Sequence, residues 1–279
     1  MVNIFRDNFR SRAELITDMQ INRSTPLLGF ASIIGFFAFA WPLFISAEQV
    51  ENNGQAKYLF LALMPVALLI LIVELTQGDL DVKSLAFLGV LTATGAALRI
   101  FGAGAIGVEP IWFLIILGGR ALGKRFGFLL GLSVLFASAL LTGGAGPWLA
   151  FQMMAAAWIG WGAGALPKIE KQRVEIIVLA TYGFFAGLIF GALMDLQLWP
   201  WLIGADTQIS FIAGAPILEN LHRYFVFHFL TAMAWDIPRA ILTAALITVA
   251  GKPILNSLRR SMRKANFVTA REMAQKAAL

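Results

Sequence analysis

Eight runs of roughly 20 mainly apolar residues divide this chain, over 26–47, 57–77, 83–101, 105–122, 126–144, 146–166, 174–201 and 224–252. At a rise of about 1.5 Å per residue, a helix of that length matches the hydrocarbon thickness of a bilayer. None of the runs alternates apolar and polar residues with the period of two that a barrel strand requires. Their Leu, Ala, Ile, Phe and Gly content is that of bundled membrane helices. The expected fold class is an all-α integral membrane protein with about eight transmembrane helices.

Composition narrows the function classes. Apolar residues make up 59% of the chain and charged residues 14%, against about 25% charge in a soluble domain. Mean hydropathy is +0.76. A soluble enzyme, a disordered protein and a nucleic-acid binder are excluded, although the formal net charge is +6. With no cysteine in the chain there is no disulfide framework, thiolate metal site or Cys nucleophile. Segment 1–25 is charged and leads into a full-length apolar run, which is not the pattern of a cleaved signal peptide.

Eight crossings with the N-terminus inside put 18 of the 22 Lys and Arg residues on the cytoplasmic side. Only Lys57, Arg99 and Arg223 fall outside, and Arg239 lies within a span. Such asymmetry is what the positive-inside rule predicts, and it places both termini in the cytoplasm. The fourth run has a short apolar core at 110–119, and failure to cross there would flip every later loop; the charge pattern argues that it crosses. The expected outer connections are Gly-rich at 102–109 and 142–148, with a long one at 202–223. Glycine-permitted backbone gathered on one face suits capture of a solute, although Gly and Pro also mark ordinary turns.

Several motifs carry weak signals. Gly118-Gly-Arg-Ala-Leu-Gly-Lys124 matches seven positions of a phosphate-binding P-loop. Arg125 stands where Ser or Thr must ligate magnesium, and no strand precedes it, so a chance match in a Gly-rich turn is the better explanation. His222 and His228 lack metal-pair spacing, and no G-x-S-x-G occurs. No catalytic residue, metal ligand or cofactor is expected.

Ionisable groups inside a membrane are costly and are functional candidates by default. Asp236 and Arg239, at i,i+3, share one helix side and form either a self-neutralising structural pair or part of a site. Arg99 and Glu109 flank the first glycine loop and are placed to pair across it. Asp195, Gln152 and His228 fall at similar depth. Trp112 and Trp148 adjoin the glycine loops, where they suit stacking on a flat ligand or an interfacial aromatic belt. Together, Arg99, Glu109, Trp112, Trp148, Gln152, Asp195, His228 and Asp236 form the candidate substrate-binding set. Gly89, Ala93 and Ala97 make a small-residue stripe, which is either an internal packing seam or a docking face.

Five motifs together resemble a known family. Glu109-Pro-Ile-Trp-Phe113, Gly119-Arg-Ala-Leu-Gly123, Phe126-Gly-Phe-Leu-Leu-Gly131, Phe136-Ala-Ser-Ala-Leu-Leu-Thr-Gly-Gly144 and Gly146-Pro-Trp-Leu-Ala-Phe-Gln152 are similar to the substrate-specific (S) components of energy-coupling factor (ECF) vitamin transporters, in the actinobacterial group assigned to cobalamin. The resemblance covers 83–253. It implies a six-helix S-component core in a bacterial plasma membrane, preceded by two additional helices at 26–82 and followed by a basic tail at 254–279. It also implies a vitamin pocket near the outer surface. Gly89, Ala93 and Ala97 would dock onto a transmembrane coupling subunit that carries two ABC ATPases, and the chain itself would hydrolyse nothing. A stand-alone secondary transporter using Asp236 and Arg239, or a membrane scaffold without ligand, are the competing readings.

Overall fold

The computed structural model describes residues 29–44, 62–63, 65–73, 82–102, 106–202 and 207–276, with side chains placed as far as 262. The N-terminal segment 1–25, the ends of the first apolar run and about half of the second, positions 103–105 of the first glycine loop and 203–206 of the long connection lie outside the described residues.

All the described regular structure is helical. Helix α1 (Gly29–Phe39) runs into a 3-10 turn at Trp41–Leu43, and α2 covers 65–73. There follow α3 (Val82–Phe101), α4 (Trp112–Leu122), α5 (Lys124–Thr142), α6 (Leu149–Ala165), α7 (Gln172–Leu202), α8 (Ile217–Thr231) and α9 (Met233–Lys276). Four of these segments are long and apolar enough to cross a membrane: α3, α5, α7 and Met233–Met262 of α9. These apolar helices make the protein membrane-embedded, and it is all-α among the described residues.

The fourth apolar run behaves differently from a free-standing span. Residues 106–111 form turns, and α4 has only 11 residues, about 16 Å of helix. Ile115, Ile116 and Leu117 are fully buried, and α4 is packed against α3, α5, α6, α7 and α9. Its apolarity on every side is that of a helix enclosed by protein rather than one facing lipid.

The last run also divides. A continuous span over 224–252 is expected, but α8 ends at Thr231 and α9 begins at Met233. The break falls at Ala232, whose carbonyl accepts from the N–H groups of Trp235 and Asp236 to start the new helix; Pro238 lies inside α9, in its second turn, where it removes one bond of the ladder. Beyond 252, the helix does not stop: α9 carries the expected tail in the same helix to Lys276.

Close packing rests on two seams of glycine at four-residue spacing. In the first, a Cβ on Gly119 of α4 or on Gly127 of α5 would collide with the carbonyl of Gly160 in α6, and one on Gly131 would collide with the carbonyl of Ala156. In the second, Gly183, Gly187 and Gly191 of α7 meet Thr243, Ala240 and Asp236 of α9. Helices in lipid gain little from apolar contact alone, so backbone proximity through small residues supplies the van der Waals packing that holds them. Helices α3 to α7, joined by short connections, alternate in direction and define two ends. One carries the glycine-rich loops. The other carries Arg120 and Glu175, joined at 2.7 Å, together with Arg259, which holds the same carboxylate at 2.6 Å.

The α3 stripe is outside these seams. Gly89, Ala93 and Ala97 are exposed, while Leu88, Leu91, Gly95 and Ala96 on the opposite side are buried. An internal-seam role therefore belongs to Gly95, whose Cβ would crowd Val134 of α5. Gly127→Leu should lower stability by about 3 kcal/mol or more, seen as a depressed unfolding midpoint in detergent. Gly89→Leu, where an added Cβ meets nothing within 4 Å, should leave that midpoint unchanged.

Candidate functional site

The second glycine seam delivers charge into the bundle. Gly191 leaves room for the Asp236 carboxylate, which lies where any side chain at 191 would have to stand. One turn along α9, Arg239 donates from Nη1 to Asp236 Oδ1 at 2.5 Å and from Nε to Glu109 Oε2 at 2.7 Å. Both α9 side chains are buried, with 2% of Asp236 and 6% of Arg239 exposed. The guanidinium lies over the Phe190 ring at 5.1 Å. Removing such charges from water is offset only when their geometry and hydrogen bonds are complete, and Arg239 receives two carboxylates here.

Glu109 reaches this position because of Gly107. That residue has φ of +65°, and a Cβ there would run into the Trp235 carbonyl at the start of α9, so only glycine lets the loop lie on α9. The Trp112 indole N–H donates to Glu109 Oε2 at 2.9 Å, and its ring packs on Phe190 with centroids 4.3 Å apart.

On the other side of Asp236 lies His228 of α8. Its Nδ1 is 2.7 Å from Asp195 Oδ2, and its Nε2 is 3.6 Å from Asp236 Oδ2. Tyr224 stacks on the imidazole at 5.8 Å and 21°, and its hydroxyl donates to the Ala192 carbonyl. Phe211, Tyr224 and Phe227 pack around Trp199 to fasten α8 and the 207–216 loop onto α7. The result is one polar chain through the loop-rich end: Trp112, Glu109, Arg239, Asp236, His228 and Asp195. Asp195, His228 and Asp236 each present a ligand atom within 4.8 Å of the others.

Arg99 belongs to a neighbouring cluster at the same end. It donates to Ser138 Oγ at 2.9 Å and to Gln152 Oε1 at 3.1 Å, which ties α3 to α5 and α6. The expected Arg99–Glu109 pair across the glycine loop is replaced by Glu109–Arg239, because Gly107 seats that loop against α9. The two tryptophans also part company. Trp148 is 42% exposed and open to a partner, whereas Trp112 is 1% exposed and its faces are already occupied. His222 is exposed and outside both clusters. Gly118 and Gly119 of the P-loop-like stretch sit inside α4 and serve packing.

Several participants escaped the sequence reading. Ser138 and Tyr224 had no distinguishing local pattern. Gly183, Gly187 and Gly191 did: their four-residue spacing marks the helix face that holds Asp236. Glu175 opens α7 among basic residues and reads as ordinary loop charge, yet its side chain is 3% exposed between Arg120 and Arg259.

No family model, curated protein or solved structure matches this chain.

The site offers guanidinium, carboxylate, imidazole and amide groups in an apolar bundle, which suits recognition of a polar solute or cation. Arg239→Met should destabilise the protein by about 3–5 kcal/mol by leaving two carboxylates without their cation. Adding Glu109→Gln and Asp236→Asn to that variant should recover most of the loss, as read from unfolding midpoints in detergent.

Proposed function

We propose that the chain is the substrate-binding S subunit of an ECF-type vitamin importer, with cobalamin as its vitamin. In this reading the chain crosses a bacterial plasma membrane eight times, with α4 inside the fourth crossing, both termini in the cytoplasm and the loop-rich end outside. Its partners are a transmembrane coupling subunit and two ABC ATPases, which supply all ATP hydrolysis.

The observation that carries the reading is the outward face of α3. Gly89, Ala93 and Ala97 are exposed on a helix whose other side is buried in the bundle, so the stripe is free to let a second membrane protein approach closely. The motif resemblance over 83–253 supplies the family. Exposed Trp148 and the Arg99–Gln152 pair supply an aromatic surface and hydrogen-bonding groups beside the glycine-rich turns, as a vitamin with many amides would need.

A cation-coupled transporter working alone is the second reading, and the Asp195–His228–Asp236 cluster, with His228 and Asp236 buried, favours it. Uptake measurements separate the two. The purified chain should bind cobalamin without ATP, and cells should take it up only when the coupling subunit and ATPases are present. Ala93→Leu should abolish uptake while leaving binding and stability intact. Loss of binding together with uptake would return the stripe to a structural role. Uptake by this chain alone, driven by a proton or sodium gradient, would establish the second reading.

A further inference from the structure

We propose that His228 and Asp236 form a binding site for a divalent transition-metal ion, with Asp195 holding the imidazole in position. The inference goes beyond vitamin binding and does not depend on it.

The imidazole has two nitrogens with different surroundings. Nδ1 is 2.7 Å from Asp195 Oδ2, a hydrogen-bond distance at which the carboxylate accepts the Nδ1 proton. That leaves the Nε2 lone pair directed towards Asp236. Carboxylate, imidazole and metal in this order are the usual arrangement around a metal-bound histidine, because the outer carboxylate fixes the tautomer and the ring orientation.

Between Nε2 and Asp236 Oδ2 the separation is 3.6 Å, too long for a hydrogen bond. Two ligands each about 2.1 Å from a tetrahedral ion stand roughly 3.4 Å apart, so one ion fits between these atoms with little movement. Asp236 Oδ2 is buried and has no hydrogen-bond partner, although its sister oxygen is bound by Arg239. An orphaned carboxylate oxygen in an apolar bundle is costly, and a cation removes that cost.

Charge points the same way. The bonded chain holds three carboxylates, Glu109, Asp236 and Asp195, and Arg239 is its guanidinium. Arg99 lies nearby, but its donors go to Ser138 and Gln152. A dication at His228 offsets the excess negative charge. Imidazole nitrogen with carboxylate oxygen suits zinc, cobalt or nickel better than magnesium or calcium. Asp195 has 21% of its side chain exposed, so the cluster is not fully enclosed, and water or a bound solute completes the coordination.

The test uses the full-length protein in detergent, stripped with a chelator and titrated with Zn²⁺, Co²⁺ and Mg²⁺ without vitamin. One equivalent of Zn²⁺ or Co²⁺ should bind and raise the unfolding midpoint, Co²⁺ should develop the visible bands of a low-symmetry nitrogen–oxygen site, and Mg²⁺ should do neither. His228→Ala and Asp236→Asn should each weaken Zn²⁺ binding by about a hundredfold or more, Asp195→Asn by roughly 10–100-fold, and His222→Ala should leave it unchanged. Absence of Zn²⁺ and Co²⁺ binding by the unmodified protein would overturn the proposal, whatever the variants do. So would Zn²⁺ affinity that persists in His228→Ala and Asp236→Asn, or one that is lost in His222→Ala. Cobalamin binding is measured separately, so failure of the metal site leaves the vitamin reading standing, and the reverse.

Discussion

A charge inside an apolar bundle has to find its counter-charge within the protein, and this requirement organises both ends of the molecule. At one end Glu175 is held by Arg120 and Arg259, while Arg120 also donates to the carbonyls of Leu166 and Pro167. Two guanidiniums surround one carboxylate, and every contact ties one element to another. At the other end the ratio is reversed: Arg239 serves Glu109 and Asp236, and beyond them His228 and Asp195 extend the chain towards solvent. The first cluster is saturated. The second leaves the buried Asp236 Oδ2 without a hydrogen-bond partner, and that imbalance separates the two clusters.

Both clusters need helices that approach closely. The glycines of α5 face the Ala156 and Gly160 carbonyls of α6, and the glycines of α7 face α9. Without Gly191 the Asp236 carboxylate has no place between α7 and α9, and without Gly107 the loop cannot bring Glu109 to Arg239. Small residues thus do more than permit packing. They set where the expensive polar groups come to rest.

Local pattern made much of this legible in advance. Apolar run lengths pointed to membrane helices, the i,i+3 spacing joined Asp236 to Arg239, and the four-residue spacing of Gly89, Ala93 and Ala97 marked one face of α3 without saying whether it is buried or exposed. What local pattern could not supply was the partner of Glu109, since Arg239 is 130 positions away and Arg99 is the nearer cation in sequence. Hydropathy also could not separate α4, apolar because protein surrounds it, from helices that are apolar because lipid does. The split between α8 and α9 falls at Ala232, with no Gly or Pro to mark it, inside an apolar run of normal span length. Glu175 was hidden by its basic neighbours, and only the fold brings Arg120 and Arg259 to it.

The functional account depends on the two ends facing opposite compartments, with the unsaturated cluster outside. The chain has no cysteine, so single cysteines report their surroundings without background. Ala145 lies in the exposed turn between α5 and α6, and Lys168 in the exposed turn between α6 and α7. In intact cells a membrane-impermeant maleimide should label Ala145→Cys and spare Lys168→Cys, while permeabilised cells should label both. Labelling of Lys168→Cys in intact cells, with Ala145→Cys protected, would invert the protein in the membrane and contradict an outward-facing solute site.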